Sequence, residues 1–267
     1  MSISVNTDTR SLLRYRKTDN IRLQLFCFPF AGSSATVFRP WVDKLPDGIE
    51  ILAVQLPGRE NRLREPCVHE MSKIVEGLEA DIVESIEAPF AFFGHSLGSL
   101  IAYEVLQNFA RSGRANAELL FASGGPAPHT CTGPTQPRKL TQEQILDDLR
   151  SISGAPSELL NDPEILALVL PMLQADFELY ANYRYEERPP LECPIVTIRG
   201  AGDTYISYQS QTEWKNHTDR HFSFQVVPGK HLFMVDSSLA LLSMITTHLA
   251  PILNKHSRRG LPAVHGV

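Results

Sequence analysis

Residues 88–109 read APFAFFGHSLGSLIAYEVLQNF, and this stretch decides the fold. An apolar run of strand character precedes the Gly-rich turn, and apolar residues recur at helical spacing from Leu97 onward. The pattern therefore predicts a strand before the turn and a helix after it. Ser96 stands at the centre of the turn, in the only Gly-x-Ser-x-Gly of the sequence. Such a turn forces its serine into a strained backbone conformation, and the small residues Gly94 and Gly98 prevent steric clashes there.

Short strand-like runs alternate with helical patterns on both sides of this stretch. The predicted helices are Glu70–Ile86, Leu97–Arg111, Tyr208–Trp214 and Asp236–Leu253, and the predicted strands are Leu23–Phe28, Ile51–Gln55, Pro89–Phe93, Glu118–Ser123, Pro194–Ile198 and Phe222–Val227. Most of the strand runs are apolar throughout, which is typical of strands covered on both faces. The alternation predicts a mostly parallel central sheet with helices on both faces, and a serine at a strand–turn–helix elbow specifies the α/β-hydrolase form of that α/β class.

The chain has 267 residues, 43% of them apolar, which is enough for one substantial core. We expect a polar N-terminal segment over 1–20, a single domain over 21–253 and a flexible C-terminal tail over 254–267. Between about 126 and 190 the strand pattern stops, and helix starts are indicated at Thr141 and at Asp162. This insertion is either a helical lid or an additional packing layer.

Composition excludes several classes of protein. The 25 basic and 30 acidic residues give a net charge of −5, which argues against a general nucleic-acid binder. The sequence shows neither a secretory signal nor an apolar run of membrane-spanning length. Its four cysteines are widely spaced and are expected to be reduced thiols of a cytoplasmic protein. Without a metal, phosphate or dinucleotide motif no cofactor is expected, and without a heptad pattern a monomer is expected.

A serine hydroxyl needs a neighbouring base before it can act as a nucleophile. Among nine histidines, His231 is the best candidate, since it directly follows the strand that ends at Val227, and parallel sheets place their sites at the carboxyl ends of strands. His95, beside Ser96, should project elsewhere. Of the remaining seven, His129 lies in the insertion and His221 before the last strand, and five are expected to be solvated: His69, His217, His248, His256 and His265.

The orienting carboxylate is expected to be Asp203, which follows the strand Pro194–Ile198 and precedes His231 in the order typical of this fold. Its rivals are Asp236, interpreted as the N-cap of the last helix, and Asp176, which lies among apolar residues of the insertion. Acyl transfer also needs N–H donors aimed at the developing oxyanion. The backbone N–H of Leu97 follows the nucleophile, and that of Ala31 lies in the loop after the first predicted strand.

With these residues in place, the sequence resembles the stand-alone type II thioesterases of polyketide and nonribosomal peptide biosynthesis. The likeness extends over nearly the whole chain, from about Leu25 to Leu253. It is carried by FPFAGSSATVFRPW (28–41), LPGRENR (56–62), GHSLGSLIAYEV (94–105), LPMLQADFELYANYRY (170–185), RGAGDTYIS (199–207) and GKHLFM (229–234).

The resemblance implies hydrolysis of acyl thioesters held on the phosphopantetheine arm of carrier proteins in trans, or of small acyl thioesters, so that stalled or misprimed chains are removed. It implies a triad of Ser96, Asp203 and His231, with the backbone N–H groups of Ala31 and Leu97 as the oxyanion hole. The 126–190 insertion matches the lid of the family. Many relatives carry glycine where Ser33 stands and arginine where Gln174 stands, which bears on the lid and the pocket rather than on the triad.

Several alternatives stay open at this point. Arg59 and Arg62 either attract the pantetheine phosphate or form an ordinary solvated turn. The same triad would serve a general serine esterase or lipase, or an acyltransferase that uses an acceptor other than water. A protein of another class, a catalytically silent α/β-hydrolase used as a binding module, would share the fold without the reaction.

Overall fold

The computed structural model describes residues 4–16, 19–152 and 162–257, leaving aside the side chains of 4–9, 163, 256 and 257. Its centre is an eight-stranded sheet of order β1-β2-β4-β3-β5-β6-β7-β8. All pairs from β4 to β8 across this order are parallel, and β1 and β2 are antiparallel additions. The strands are β1 (Ser4–Thr9), β2 (Leu12–Arg16), β3 (Leu23–Phe28), β4 (Ile49–Val54), β5 (Phe90–His95), β6 (Leu119–Ser123), β7 (Ile195–Gly200) and β8 (Phe222–Val227).

The helices follow the strands in the predicted alternation. They are α1 (Met71–Ser85), α2 (Leu97–Ser112), α3 (Gln142–Ser151), α4 (Pro163–Ala181), α5 (Tyr208–Thr212), α6 (Phe233–Asp236) and α7 (Ser238–Ser257), with 3₁₀ turns at Ala35–Trp41, Glu60–Arg62, Pro128–Thr130 and Glu213–His217. All six predicted strands and the four predicted helices are present, with ends displaced by a few residues. The expected mostly parallel α/β-hydrolase architecture is therefore confirmed.

The two N-terminal strands were not predicted, because residues 1–20 were expected to be a polar segment. In β2 the side chains of Leu12, Leu13 and Tyr15 are buried, as is that of Arg14. Arg14 interrupts the apolar pattern of this strand, so the sequence does not indicate a buried element. The guanidinium is tolerated there because it is paired with the Glu50 carboxylate at 3.0 Å. At the other end, helix α7 continues through Ser257, and the rest of the expected tail lies outside the described residues.

Apolar side chains alternate between the two faces of the sheet. In β5, Phe90 and Phe92 join the core beneath α1 and α2, while Ala91 and Phe93 join the core beneath α7 and the 3₁₀ turn Ala35–Trp41. A strand between two apolar cores needs apolar residues at every position. This is why most of the strand runs are nearly continuous in apolar residues.

The insertion between β6 and β7 carries its own small core. Residues of α3 and α4 and their connections form it, together with one residue of the segment between β8 and α6: Leu140, Ile145, Leu149, Ile152, Leu173, Phe177 and Leu232. Both predicted helix starts are confirmed, since Thr141 forms a capping box with Gln144 and Asp162 caps α4. The described part of 126–190 contains no strand, only an isolated bridge between Thr132 and Arg184.

His217 is buried rather than solvated, so that expectation was wrong. Its Nδ1 lies 3.0 Å from the Tyr103 hydroxyl in α2, and its Nε2 lies 2.7 Å from Nδ1 of His129. Burial, reinforced by the neighbouring His129 and Arg188, lowers the pKa of His217 from 6.5 to about 4. The sequence around His217 is polar, and its ring is buried by tertiary contacts with Tyr103 of α2 and with His129 and Tyr185.

Replacing Thr141 by alanine removes the capping box of α3, in which Thr141 Oγ1 accepts from Gln144 N–H at 3.3 Å and Gln144 Oε1 accepts from Thr141 N–H at 2.9 Å. We expect the stability of α3 to fall by about 1 kcal/mol, because the N–H of Gln144 loses its hydrogen-bond acceptor. Hydrogen exchange of α3 peptides should accelerate about fivefold. Thr141→Ser keeps the acceptor and should exchange like the parent, whereas equal exchange in all three proteins would contradict the capping role.

The low pKa of His217 predicts a pH-dependent stability. The unfolded chain binds a proton here below pH 6.5 and the folded chain only below about 4, so stability is lost as the pH falls through that window. Urea unfolding between pH 7 and pH 4.5 should show a shallower decline for His217→Gln than for the parent. Identical declines in the two proteins would contradict this origin.

Candidate active site

Ser96 lies between β5 and α2 with φ 53° and ψ −119°, a backbone conformation that residues other than glycine rarely adopt. Its N–H donates to the carbonyl oxygen of Ser123 at the end of β6, 2.7 Å away. A Cβ at Gly94 would lie 2.3 Å from the Gly98 carbonyl oxygen, and one at Gly98 would lie 2.2 Å from that of Phe28. Both glycines are therefore needed for α2 to approach β3 and β5 this closely.

The structure brings the three predicted side chains into one hydrogen-bonded chain. Nε2 of His231 lies 3.0 Å from Ser96 Oγ, and Nδ1 of His231 lies 3.1 Å from Asp203 Oδ2. All three residues are buried, with relative exposures of 8%, 1% and 2% for Ser96, His231 and Asp203. Since an ionised carboxylate only accepts, Nδ1 of His231 carries the proton and Nε2 is free to accept the serine hydroxyl proton.

Asp203 occupies the turn after β7. Its Oδ1 accepts from the N–H groups of Tyr205 and Ile206 at 2.9 and 3.2 Å, which leaves Oδ2 for the histidine. Burial raises the pKa of the Asp203 carboxyl, but the hydrogen bond and charge of His231 and these two N–H groups outweigh it and hold the pKa below its ordinary value. The carboxylate therefore stays ionised beside the imidazole at neutral pH.

His95 does project away from the serine, as expected, but it belongs to the site. Its Nε2 lies 3.0 Å from the carbonyl oxygen of His231, to which it donates, so its Nδ1 accepts from the Ser123 hydroxyl at 2.9 Å. Burial and the proximity of His231 lower the pKa of His95 to about 3, so the ring is neutral. The His95 ring thus holds the backbone of His231, and the Tyr205 ring packs on the His231 imidazole with ring centroids 4.9 Å apart.

The rival carboxylates are elsewhere. Asp236 ends the short helix α6 instead of capping α7, so its interpretation as an N-cap was wrong. Asp176 of α4 is 1% exposed and forms a two-pronged ion pair with Arg59, at 2.7 and 2.8 Å. Arg59 is thus no solvated residue. Arg62 is also mostly covered, and its guanidinium pairs with Glu65 and donates to the carbonyl oxygen of Gln55.

The two candidate oxyanion donors lie at the start of α2 and in the loop after β3. Leu97 is the first residue of α2, where backbone N–H groups lack intrahelical partners. Neither its N–H nor that of Ala31 has an acceptor within the described ranges. The next N–H along the first loop, that of Gly32, is already bonded to Asp176 Oδ2 at 2.8 Å.

Sequence analysis assigned no role to His95 or Tyr205. It left Arg59 open between a phosphate contact and a solvated turn, and considered Asp176 only as a rival for the orienting carboxylate. The signal for the last pair was present, because a lone aspartate in an apolar helix requires a cationic partner, and LPGRENR supplies one. The partner itself cannot be identified without knowing that the 56–62 loop faces α4. Within the described residues no cluster of three or more metal-ligating side chains is found, and no helix there is long and apolar enough to cross a membrane.

Comparisons with known proteins identify the family. The family model described as "Thioesterase domain" matches residues 23–249. The gramicidin S biosynthesis protein GrsT of Aneurinibacillus migulanus is 37% identical, over 87% of this chain and 91% of its own. The type II thioesterase BorB from the borrelidin cluster superimposes with a TM-score of 0.80 at 30% identity, covering 90% of this chain and 97% of BorB. RedJ, the prodiginine-pathway thioesterase of Streptomyces coelicolor, gives 0.78 at 33% identity, covering 86% of each chain. The chain belongs to the thioesterase family.

Proposed function

We propose that this protein is a serine thioesterase that hydrolyses acyl thioesters on the phosphopantetheine arm of carrier proteins, removing stalled or misprimed groups in polyketide or nonribosomal peptide assembly. The observation that carries the proposal is the continuous chain from Ser96 Oγ through His231 to Asp203, with contacts of 3.0 and 3.1 Å. Such a chain activates a hydroxyl for attack on an acyl carbon.

In the first half-reaction Ser96 Oγ attacks the thioester carbonyl while its proton passes to Nε2 of His231. Asp203 stabilises the resulting imidazolium, and the N–H groups of Ala31 and Leu97 donate to the oxyanion. The C–S bond then breaks, and the pantetheine sulfur leaves with the proton returned by His231. Because a thiol is a good leaving group, weak acid assistance is sufficient.

In the second half-reaction His231 takes a proton from water, whose oxygen attacks the acyl-serine carbon. Collapse of the tetrahedral intermediate releases the carboxylic acid and returns the proton to Ser96. The protein's own side chains supply nucleophile, base and electrostatic stabilisation, so we propose that no cofactor takes part.

Support for the carrier-bound substrate comes from the relatives. GrsT is named for gramicidin S biosynthesis, and BorB and RedJ are thioesterases from biosynthetic clusters or pathways. We propose the same place for this chain, as a single domain that acts in trans as a cytoplasmic monomer. The 126–190 insertion then forms the lid over the site, since Leu173 of α4 lies against Gly32 of the loop that carries Ala31, and Leu232, next to His231, belongs to the core of the insertion.

Ser96→Ala should abolish hydrolysis of acyl-carrier thioesters while the fold and melting temperature stay close to the parent, because only one oxygen is removed. We expect kcat to fall about 10⁶-fold, as when the catalytic serine of a serine protease is removed. Mass spectrometry of carrier domains loaded with different acyl groups measures the rate and identifies the released acid. A variant that retained most of the activity would contradict the assignment.

Substrate comparison separates this function from the alternatives. A dedicated enzyme should show a higher kcat/KM for acyl-carrier domains than for acyl-coenzyme A or p-nitrophenyl esters. A preference for simple esters would favour a general esterase, and an acyl-amine or acyl-ester product would favour an acyltransferase. A silent binding module would not react at Ser96 with a fluorophosphonate probe.

Asp203→Asn should lower kcat by about 10⁴-fold, because the amide stabilises neither the required tautomer nor the imidazolium. Asp236→Asn is the matched control: it makes the same change in the rival carboxylate, and should keep parental activity. Equal losses in the two variants, or a loss only at Asp236, would overturn the choice of carboxylate.

A further inference from the structure

The ion pair between Arg59 and Asp176 joins three separate parts of the chain. Arg59 belongs to the loop after β4, Asp176 belongs to α4 of the insertion, and both contact the 30–35 loop that carries Ala31. The two side chains are 4% and 1% exposed, and the guanidinium meets both carboxylate oxygens. A buried ion pair is poor evidence of a stabilising role, because well-packed apolar residues in its place often give an equally stable fold. The other contacts of the pair are therefore more informative about its role.

Two further hydrogen bonds of the pair reach the 30–35 loop. Asp176 Oδ2 accepts from the N–H of Gly32 at 2.8 Å, and Arg59 Nη1 donates to the carbonyl oxygen of Ser33 at 2.8 Å. The N–H of Ser33 in turn donates to the carbonyl oxygen of Phe30 at 3.0 Å. The last bond fixes the peptide group between Phe30 and Ala31. In a trans peptide the N–H points opposite to the C=O, so the direction of the Ala31 N–H is fixed as well.

The 56–62 loop is itself held rigidly against the 30–35 loop. Gln55 accepts from the N–H of Ala35 at 2.7 Å and donates to the carbonyl oxygen of Arg59 at 3.3 Å. Glu60 accepts from the hydroxyls of Ser34 and Thr36, each at 2.6 Å. Glu60 has φ +46°, a conformation that costs free energy for a glutamate and persists where surrounding contacts require it.

We propose that Arg59 and Asp176 are positioning residues for the oxyanion hole, and that they make its geometry depend on helix α4. Of the hydrogen bonds described above, α4 supplies only those that the Asp176 carboxylate accepts. When α4 is docked, Gly32 and the guanidinium share its carboxylate and the Ala31 N–H is aligned. When α4 moves away, both lose that acceptor and the alignment relaxes. This inference rests on the proposed function, because it assumes that Ala31 donates to the oxyanion.

Kinetics distinguish a pair that positions the oxyanion donor from a pair that merely stabilises the fold. A misaligned oxyanion donor weakens the transition state and spares ground-state binding, so kcat falls while KM stays nearly constant. A purely stabilising pair changes the melting temperature and the fraction of active molecules, but leaves kcat per active molecule unchanged.

The experiment compares the parent with Asp176→Asn and Arg59→Lys, using a small acyl thioester and counting active sites by end-point fluorophosphonate labelling of Ser96. We expect kcat per labelled site to fall about 10²-fold in Asp176→Asn, the size of effect that a displacement near 1 Å produces, with KM within about twofold of the parent. Arg59→Lys keeps the charge but loses the two-pronged geometry, and is the milder variant should Asp176→Asn fold poorly. It should lose kcat in the same manner.

A second measurement reports on the hole directly. An acyl trifluoromethyl ketone forms a tetrahedral oxyanion with the serine, so its affinity should fall in both variants by about the same factor as kcat. Glu50→Gln is the matched control, because Glu50 is a fully buried carboxylate paired with Arg14 at 3.0 Å at the opposite end of the sheet. It should lower the melting temperature and keep kcat per active site.

Unchanged kcat per labelled site and unchanged ketone affinity in both variants would overturn the inference, as would equal losses in Glu50→Gln. A failure of the proposed function has a different signature: the parent would show no more thioester hydrolysis than Ser96→Ala. The two outcomes are therefore distinguishable in one set of proteins.

Discussion

The site depends on the close approach of α2 to the sheet at Gly94 and Gly98. There a methyl group would lie 2.2 to 2.3 Å from a backbone oxygen, so neither position tolerates any side chain. The approach sets the unusual φ of Ser96 and, with it, the direction of the hydroxyl and the unbonded N–H of Leu97. The proposed nucleophile and the proposed oxyanion donor thus share one backbone constraint.

The other groups reach the serine because parallel strands end at the same edge of the sheet. Ala31 follows β3, Asp203 follows β7 and His231 follows β8, while β5 leads into Ser96. Residues far apart in sequence meet there without any long excursion of the chain, as is usual for sites in α/β sheets. Side chains outside the Ser96–His231–Asp203 chain then contact its supports: His95 donates to the His231 carbonyl oxygen, and Arg59 and Asp176 bind the loop of Ala31.

Much of this arrangement is predictable from sequence, for identifiable reasons. Strands between two cores are apolar at most positions, so runs such as those of β5 and β6 stand out, and the two glycines around Ser96 indicate the elbow. Strand β2 was not predicted because Arg14 breaks its apolar run, and Glu50, the partner of Arg14, comes close to it only in the folded chain. His217 was assigned to solvent for the same kind of reason, since its polar neighbours in sequence give no hint of Tyr103 in α2. Arg59 and Asp176 likewise belong to stretches whose contact is purely tertiary.

The central claim is that Ser96 carries the acyl group between the two half-reactions. Rapid acid quenching of the parent enzyme during turnover of an acyl-carrier substrate, followed by peptide mass spectrometry, measures this directly. We predict a mass increase equal to the acyl group on the peptide containing Ser96, appearing within one turnover and decaying as the free acid accumulates. Acylation of a different residue under these conditions, or hydrolysis that proceeds without any acylated peptide under single-turnover sampling, would contradict the account.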